Sequence, residues 1–331
     1  MRAPHVRTRR VLAAAAATLF LTSTGCQVNT HQPAGAQFNR PVDLVVPFGP
    51  GGGADAVARS ASNIISERIG VDVPVINVDG ATGSSGTVRM LSANAGQSMS
   101  VLIQDTLATV SAGRASFQFD EIKAVCRLQS MPSALMVRKD TYANWQELAD
   151  AARANPGKLK VATVGASSVD DIVLAATEEV AGTRFRAVPF SEPSERYAAL
   201  LGGQVDVLYE QLGDVREYLD SGDFVPVLTV ADEPVDGYAD VPSTSDIGIP
   251  ESVVLPQFRG LVMSADAPQE IVDQMSSACR QASESRKFAA FQEEVYATDD
   301  SYQNAAEFQR FLEDQDKLIT SQLREYDMLA D

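Results

Sequence analysis

From residue 42 onward the chain repeats one unit: a short apolar run, a turn of small residues, then a stretch with apolar side chains at helical spacing. VDLVVPF (42–48) opens the series, and residues 54–69 follow with Val57, Ala61, Ile64 and Ile65 on one face. VPVINV (73–78), SVLIQ (100–104), ALMVRK (134–139), LKVATV (159–164) and FRAVPF (185–190) read as strands, as do VDVLY (205–209), FVPVLTV (224–230) and FRGLVM (258–263). Helical patterns at 144–154, 170–181 and 193–202 separate several of them. Two helices close the chain, one started by Asp266 and Pro268, the other striped by Phe308, Leu312, Ile319, Leu323 and Tyr326. Strands apolar on both faces need cover on both faces, so the pattern predicts mostly parallel sheets between helix layers, an α/β architecture. The 331 residues suffice for two cores. No long linker divides them, which favours two lobes with the chain crossing between them.

The first 26 residues read as an address. Arg2, Arg7, Arg9 and Arg10 precede an apolar stretch at 11–22, too short to span a bilayer but suited to a signal-peptide core. Ser23-Thr24-Gly25-Cys26 resembles a lipobox, in which the cysteine becomes a lipidated N-terminus; plain cleavage elsewhere in the small-residue run is the other reading. Arg9-Arg10 matches a twin-arginine signal only weakly. Residues 27–37 lack periodicity and read as a tether. Such a leader places the folded part outside the cytoplasm, anchored through Cys26 where lipidated, in a compartment that permits disulfides. Cys126 and Cys279 are then a candidate pair, although Cys279 shares a helical face with Val272, Met275 and Ala282 and reads equally as core.

Charge and histidine content exclude much chemistry. The chain carries 27 basic and 44 acidic residues, a net of -17, and loss of residues 1–25 leaves 23 basic residues and a net of -21. Nucleic-acid binding is therefore not expected. The only histidines are His5 and His31, both ahead of the folded part, which argues against histidine acid–base catalysis and most zinc sites. No metal or cofactor is expected.

Three small-residue turns stand out. Pro47-Phe48-Gly49-Pro50-Gly51-Gly52-Gly53-Ala54-Asp55 lies between a strand and a helix, where α/β sheets place ligands. Glycines there expose backbone N–H groups, and the helix N-terminus adds partial positive charge, so the loop suits an anion. The alternative is a plain turn with Asp55 satisfying first-turn amides. Gly165-Ala166-Ser167-Ser168-Val169-Asp170 repeats the arrangement, as a cap or as a carboxylate grip. Gly80-Ala81-Thr82-Gly83-Ser84-Ser85-Gly86 offers serines without a base, so catalysis is not read there.

Taken in order, VDLVVPFGPGGGADAVAR (42–59), ATGSSGTV (81–88), NPGKLKVATVGASS (155–168), LLGGQVDVLYEQL (200–212), DVPSTSDIGIP (240–250) and FRGLVMSADAP (258–268) resemble the substrate-binding proteins of tripartite tricarboxylate transporters, the Bug-type extracytoplasmic receptors. The resemblance implies a two-lobed periplasmic-binding-protein type II-like fold. Lobe one would be 38–133 with 235–331, lobe two 134–234, and the ligand cleft would lie between them. It implies a receptor, not an enzyme, that closes on a small carboxylated solute and hands it to membrane permease subunits, working as a monomer. Carried over, the gripping residues are Phe48, Gly51, Gly52, Gly53 and Asp55 from lobe one, with Gln104, Asp105 and Thr106 on the floor. Lobe two contributes Ser167, Ser168, Asp170, Phe190, Ser191 and Glu210. Oriented amides at contact distance, rather than basic side chains, are expected to overcome the net negative charge.

Several positions depart from the family pattern. Ala54 stands where Thr is frequent, Asp170-Asp171 where Ser-His is common, Gln104-Asp105-Thr106 in place of a small-polar loop, and Glu210 where Asp is usual. If Asp55, Asp105, Asp170 and Glu210 all faced the cleft, the solute would carry an amine or a cation, as an amino acid does; otherwise they serve caps and solvent. A sensor presenting its loaded form to a membrane kinase, and an extracytoplasmic hydrolase or transferase, are the alternative functions.

Overall fold

The computed structural model describes residues 38–255 and 257–330, so the signal segment, Cys26 and the tether lie outside the described residues. The described residues belong to one compact unit. In chain order the elements are β1 (Asp43–Val46), α1 (Gly53–Ile69), β2 (Val75–Asn77), α2 (Ser84–Leu91), β3 (Ser98–Ile103), α3 (Gln104–Ser111) and β4 (Ile122–Met131). There follow β5 (Ser133–Arg138), α4 (Trp145–Ala154), β6 (Lys160–Thr163), α5 (Val169–Ala181), β7 (Arg186–Pro189) and α6 (Pro193–Leu201). Next come β8 (Val207–Gln211), α7 (Arg216–Asp220), β9 (Phe224–Val230) and β10 (Gln257–Ser264). The chain closes with α8 (Gln269–Ser283), α9 (Arg286–Glu294), β11 (Gln303–Asn304) and α10 (Ala305–Glu325).

Two sheets result. The first has the order β11-β4-β10-β3-β1-β2, the second β7-β6-β8-β5-β9. The chain leaves the first sheet between Met131 and Ser133 and returns to it between Val230 and Gln257. Each sheet is mixed rather than mostly parallel: β1 runs parallel to β2 and β3, and β6 to β7 and β8, but β10 is antiparallel to β3 and β4, and β5 to β8 and β9. The antiparallel members are the strands that carry the chain between the lobes or flank those passages, where no helical crossover intervenes to make neighbours parallel.

Apolar burial follows the layers. One cluster joins β1 and β3 to α1 and α8, and a second lies under α6 in the second lobe. The largest runs from Val45 and Leu102 through Phe308 and Leu312 of α10 to Leu135, Val161 and Tyr209, so the two lobes share buried surface. Cys126 on β4 and Cys279 on α8 are joined in a disulfide with a Cα–Cα distance of 6.4 Å, and both also belong to the cluster beneath α1.

Most elements start and stop within a few residues of the positions expected from pattern. The exceptions are α3, β4, α7, α9 and the two-residue β11, which the pattern did not reveal. Strand β4 reads IKAVCRLQSM, and its buried Arg127 and Gln129 disguise it. Arg127 donates to the backbone carbonyls of Ser301 and Asp300, and Gln129 donates to Gln292 at 2.7 Å. Polar side chains are tolerated in a central strand when such partners replace water.

Candidate functional site

The first wall of the interlobe cleft is the turn between β1 and α1. Gly52, the N-cap, is extended (φ -87°, ψ 172°) and no side chain caps the helix. Asp55 turns backwards instead. Its carboxylate accepts from the Gly51 amide (3.1 Å), from Arg59 Nε (2.9 Å) and from Asn77 Nδ2 (3.0 Å), and Asn77 Nδ2 also donates to the Phe48 carbonyl (3.0 Å). Burial pushes the Asp55 carboxyl up, but Arg59, the Gly51 amide and Asn77 together hold it below its ordinary value. Asp55 thus braces the glycine loop and leaves the amide end of α1 open to the cleft.

The second wall is the turn between β6 and α5. Ser168 is the N-cap of α5, again without a side-chain cap bond. The acceptor comes from the other lobe: Asp105, in the first turn of α3, accepts from the Val169 amide at 3.1 Å. A carboxylate at a helix N-terminus is favourable for both partners. Burial nevertheless raises the Asp105 carboxyl to about 6, with Val169 and Arg196 opposing the rise and Glu210 and Asp171 adding to it. Asp170 rises well above the ordinary range through burial and the nearby Asp105 charge. Asp171 rises to about 6 through burial, against the pull of the Ser167 and Ser168 amides.

Two arginines complete the cleft. Arg196, on α6, pairs with Glu210 on β8, Nη2 to Oε2 at 2.7 Å, and also donates to the Phe190 carbonyl at 3.2 Å. Arg259, on β10, lies where the register against β4 shifts between Arg259 and Gly260, an irregularity of the kind that re-aims a strand side chain. It donates to Gln129 Oε1 (2.7 Å), to Met131 Sδ (3.3 Å), to Gln211 Oε1 (3.2 Å) and, in a short ion pair, to Asp214 Oδ2. Asp214 follows β8, so this pair ties the two sheets together. Burial raises the Asp214 carboxyl despite Arg259 beside it.

These groups enclose a cavity of about 40 Å³. Phe48, Gly52, Gly53 and Arg259 line one side, Arg196, Tyr197, Glu210 and Asp214 the other, with Asp105 also in the wall. Gly53 is pressed against the ion pair: a Cβ there would overlap the Arg259 guanidinium and Asp214 Oδ1. The surroundings offer a carboxylate backbone N–H groups and guanidinium donors, and offer a cation three carboxylates. Among the described residues no group of His, Cys, Asp and Glu could hold a metal ion.

The structure brings together Phe48, Gly52, Gly53, Asp105 and Glu210 of the residues expected from sequence. Gly51 is exposed, with its amide spent on Asp55, and Asp55 is turned out of the cavity. Gln104 is buried against α10, donating to Gln315 Oε1 at 2.7 Å, and Thr106 is buried beside it. Ser167, at φ 58°, turns its hydroxyl to the Met328 carbonyl (2.9 Å) and to Arg114 Nε (3.0 Å). Ser168 is buried as the α5 cap, and Asp170 accepts from the Val164 amide at 2.8 Å. Phe190 is half-buried against the second lobe's core, and Ser191 is exposed.

The expectation that amides alone serve the cleft is corrected, because Arg196 and Arg259 both line it. Pattern reading also missed Tyr197, Gln211 and Asp214. Arg259 left a trace, a charge inside the apolar run FRGLVM. Arg196 left none, since PSERYAALL reads as a helix with a solvated face.

Two mixed sheets joined by two strand passages, with helix N-termini and buried charge converging on the seam, define a two-lobed solute-binding protein. The chain belongs to the tripartite tricarboxylate transporter family of receptors, whose family profile matches residues 57–326. It is thereby an extracytoplasmic solute receptor by family. A Pseudomonas sp. (strain P51) protein encoded in the tcbD-tcbE intergenic region is 29% identical over 288 residues, covering 84% of this chain and 82% of the relative. Two solved structures share the fold. MatC from Rhodopseudomonas palustris, with bound malate, has a TM-score of 0.78 at 23% identity, covering 86% of this chain and 99% of that one. A second R. palustris protein, with adipate, has a TM-score of 0.80 at 19% identity, covering 88% and 98%.

Proposed function

We propose that this chain captures a small carboxylated solute in the interlobe cleft by lobe closure and delivers it, chemically unchanged, to the membrane subunits of a tripartite transporter. The observation that carries the reading is the convergence of the uncapped α1 amide end and Arg259 on one buried cavity. Fold relatives that hold malate and adipate support it. Closure is favoured when the solute bridges groups from both lobes, so ligand and closed state stabilise one another. We take 38–133 with 235–331 as one lobe and 134–234 as the other. The anchor would be a lipidated Cys26, and the receptor would act as a monomer. A binding role without catalysis fits described residues among which there is no histidine.

A second reading concerns the solute. Asp105, Glu210 and Asp214 all line the cavity. An amino acid would present its ammonium to one of them and its carboxylate to an arginine or the amides. Isothermal titration of the purified protein with malate, adipate, citrate, aspartate and glutamate tests both readings, with a thermal shift as the parallel readout. One saturable site for at least one of these acids is expected. Tight binding of citrate, malate or adipate and none of the amino acids rejects the ammonium reading. Absence of saturable binding across a wider carboxylate panel rejects the receptor assignment.

A further inference from the structure

We propose that the closed, ligand-free cleft is self-ligated: Asp214 of lobe two occupies, on Arg259 and against the amide end of α1, the position that a solute carboxylate takes when it binds. This rests on the carboxylate-receptor reading above and adds a competitor built into the chain.

Four observations converge on it. Asp214 and Arg259 come from different sheets, and their side chains are only 6% and 7% exposed. The pair therefore crosses from one sheet to the other. The Asp214 carboxylate also abuts Gly53, the first residue of a 17-residue helix that has no side-chain cap. The obvious local anion for that helix, Asp55, is committed to Gly51, Arg59 and Asn77. Finally, the other partners of Arg259, namely Gln129, Gln211 and Met131, are neutral, and Asp214 is its one salt-bridge partner among the described residues. A guanidinium with one anion and an open amide end beside it is the donor set that binds a carboxylate. Here lobe two supplies that carboxylate itself.

The physical consequence is a filter. In the open form Asp214 withdraws with lobe two and is hydrated, leaving Arg259 free to meet a solute. On closure the solute must hold Arg259 against an intramolecular carboxylate whose effective concentration is high. Only an acid that gains further contacts elsewhere in the cleft wins. The alternative is that Asp214 stays on Arg259 and receives a solute ammonium, and the two arrangements predict opposite effects of removing its charge.

The test is titration of malate, adipate and aspartate into wild-type protein and into the Asp214→Asn, Asp214→Ser and Arg259→Gln variants, with circular dichroism to verify folding. If Asp214 competes, both Asp214 variants bind the dicarboxylate at least about fivefold more tightly than wild type, the low end of the range for coupled sites. Arg259→Gln binds it roughly thirtyfold or more weakly, as when one partner of a buried charge pair is lost. Unchanged or weakened dicarboxylate binding in the Asp214 variants, with wild type binding, overturns the proposal and leaves the receptor reading intact. Loss of aspartate binding in those variants, with no dicarboxylate binding in any protein, overturns it in favour of the ammonium arrangement. No binding of any acid by any of the four proteins overturns both proposals. Small-angle scattering of ligand-free wild type gives an independent arm that needs no variant: a closed particle is expected, and an open one overturns self-ligation.

Discussion

Asp105→Asn isolates the energetic cost of the carboxylate that joins α3 to α5. Asp105 is 2% exposed, and burial raises it from 3.8 to about 6, so the folded protein keeps that proton to a higher pH than the unfolded chain does. Its contribution to stability is therefore complete below the ordinary Asp range and disappears as pH rises through 6. The shift corresponds to about 3 kcal/mol in all, of which about 2 kcal/mol falls between roughly pH 4.5 and 7.5. An asparagine does not titrate and can still accept from the Val169 amide. The experiment is urea unfolding of wild type and variant at both pH values. Subtraction removes the groups common to both that do not sense the Asp105 charge; Asp170, which does, is lowered in the variant and shifts the difference in the same direction. Relative to wild type, the variant should be about 2 kcal/mol better off at the higher pH than at the lower. A difference that does not change with pH, or that favours wild type more as pH rises, refutes the assignment of a raised carboxyl to Asp105.

Other perturbations have distinct signatures. Glu210→Gln leaves Arg196 buried without its anion and should lower unfolding free energy by about 3–5 kcal/mol, measured by chemical denaturation. Asn77→Ala removes both bonds that Nδ2 makes to Asp55 and Phe48, and should cost about 2 kcal/mol while increasing amide hydrogen exchange at Gly51 and Gly52. At Gly213 a Cβ would overlap the Val295 carbonyl oxygen and lie 2.6 Å from Val295 Cα, backbone that cannot yield as a side-chain tip can. Gly213→Ala should therefore destabilise the protein by about 1–3 kcal/mol in a thermal melt and displace the turn that carries Asp214.

The alternating elements were legible because burial on two faces and helical spacing are local properties of the chain. Residues 42–48 and 54–69 needed no distant partner to be read. The cleft was legible only at its backbone. Gly52 and Gly53 announce a close approach wherever the chain goes, and both line the cavity. Arg259 and Asp214 meet because β10 inserts between β3 and β4 while β8 enters the other sheet, and their separation along the chain hides that. Asp55 and Ser167 are turned from the cavity by different partners: the nearby Gly51 amide and Arg59 hold Asp55 in the first turn of α1, whereas the distant Met328 carbonyl, delivered by the C-terminal segment, holds Ser167.

The sulfur bridge between Cys126 and Cys279 spans 153 positions, and both passages between the sheets, at 131–133 and 231–256, fall inside the ring it closes. The second sheet is thus a lasso whose knot is tied on the first. A protease that nicks either passage once yields two pieces that migrate as one until a reductant parts them. In the unfolded chain, too, both roots of lobe two stay pinned, so its search for structure begins from a loop already drawn together.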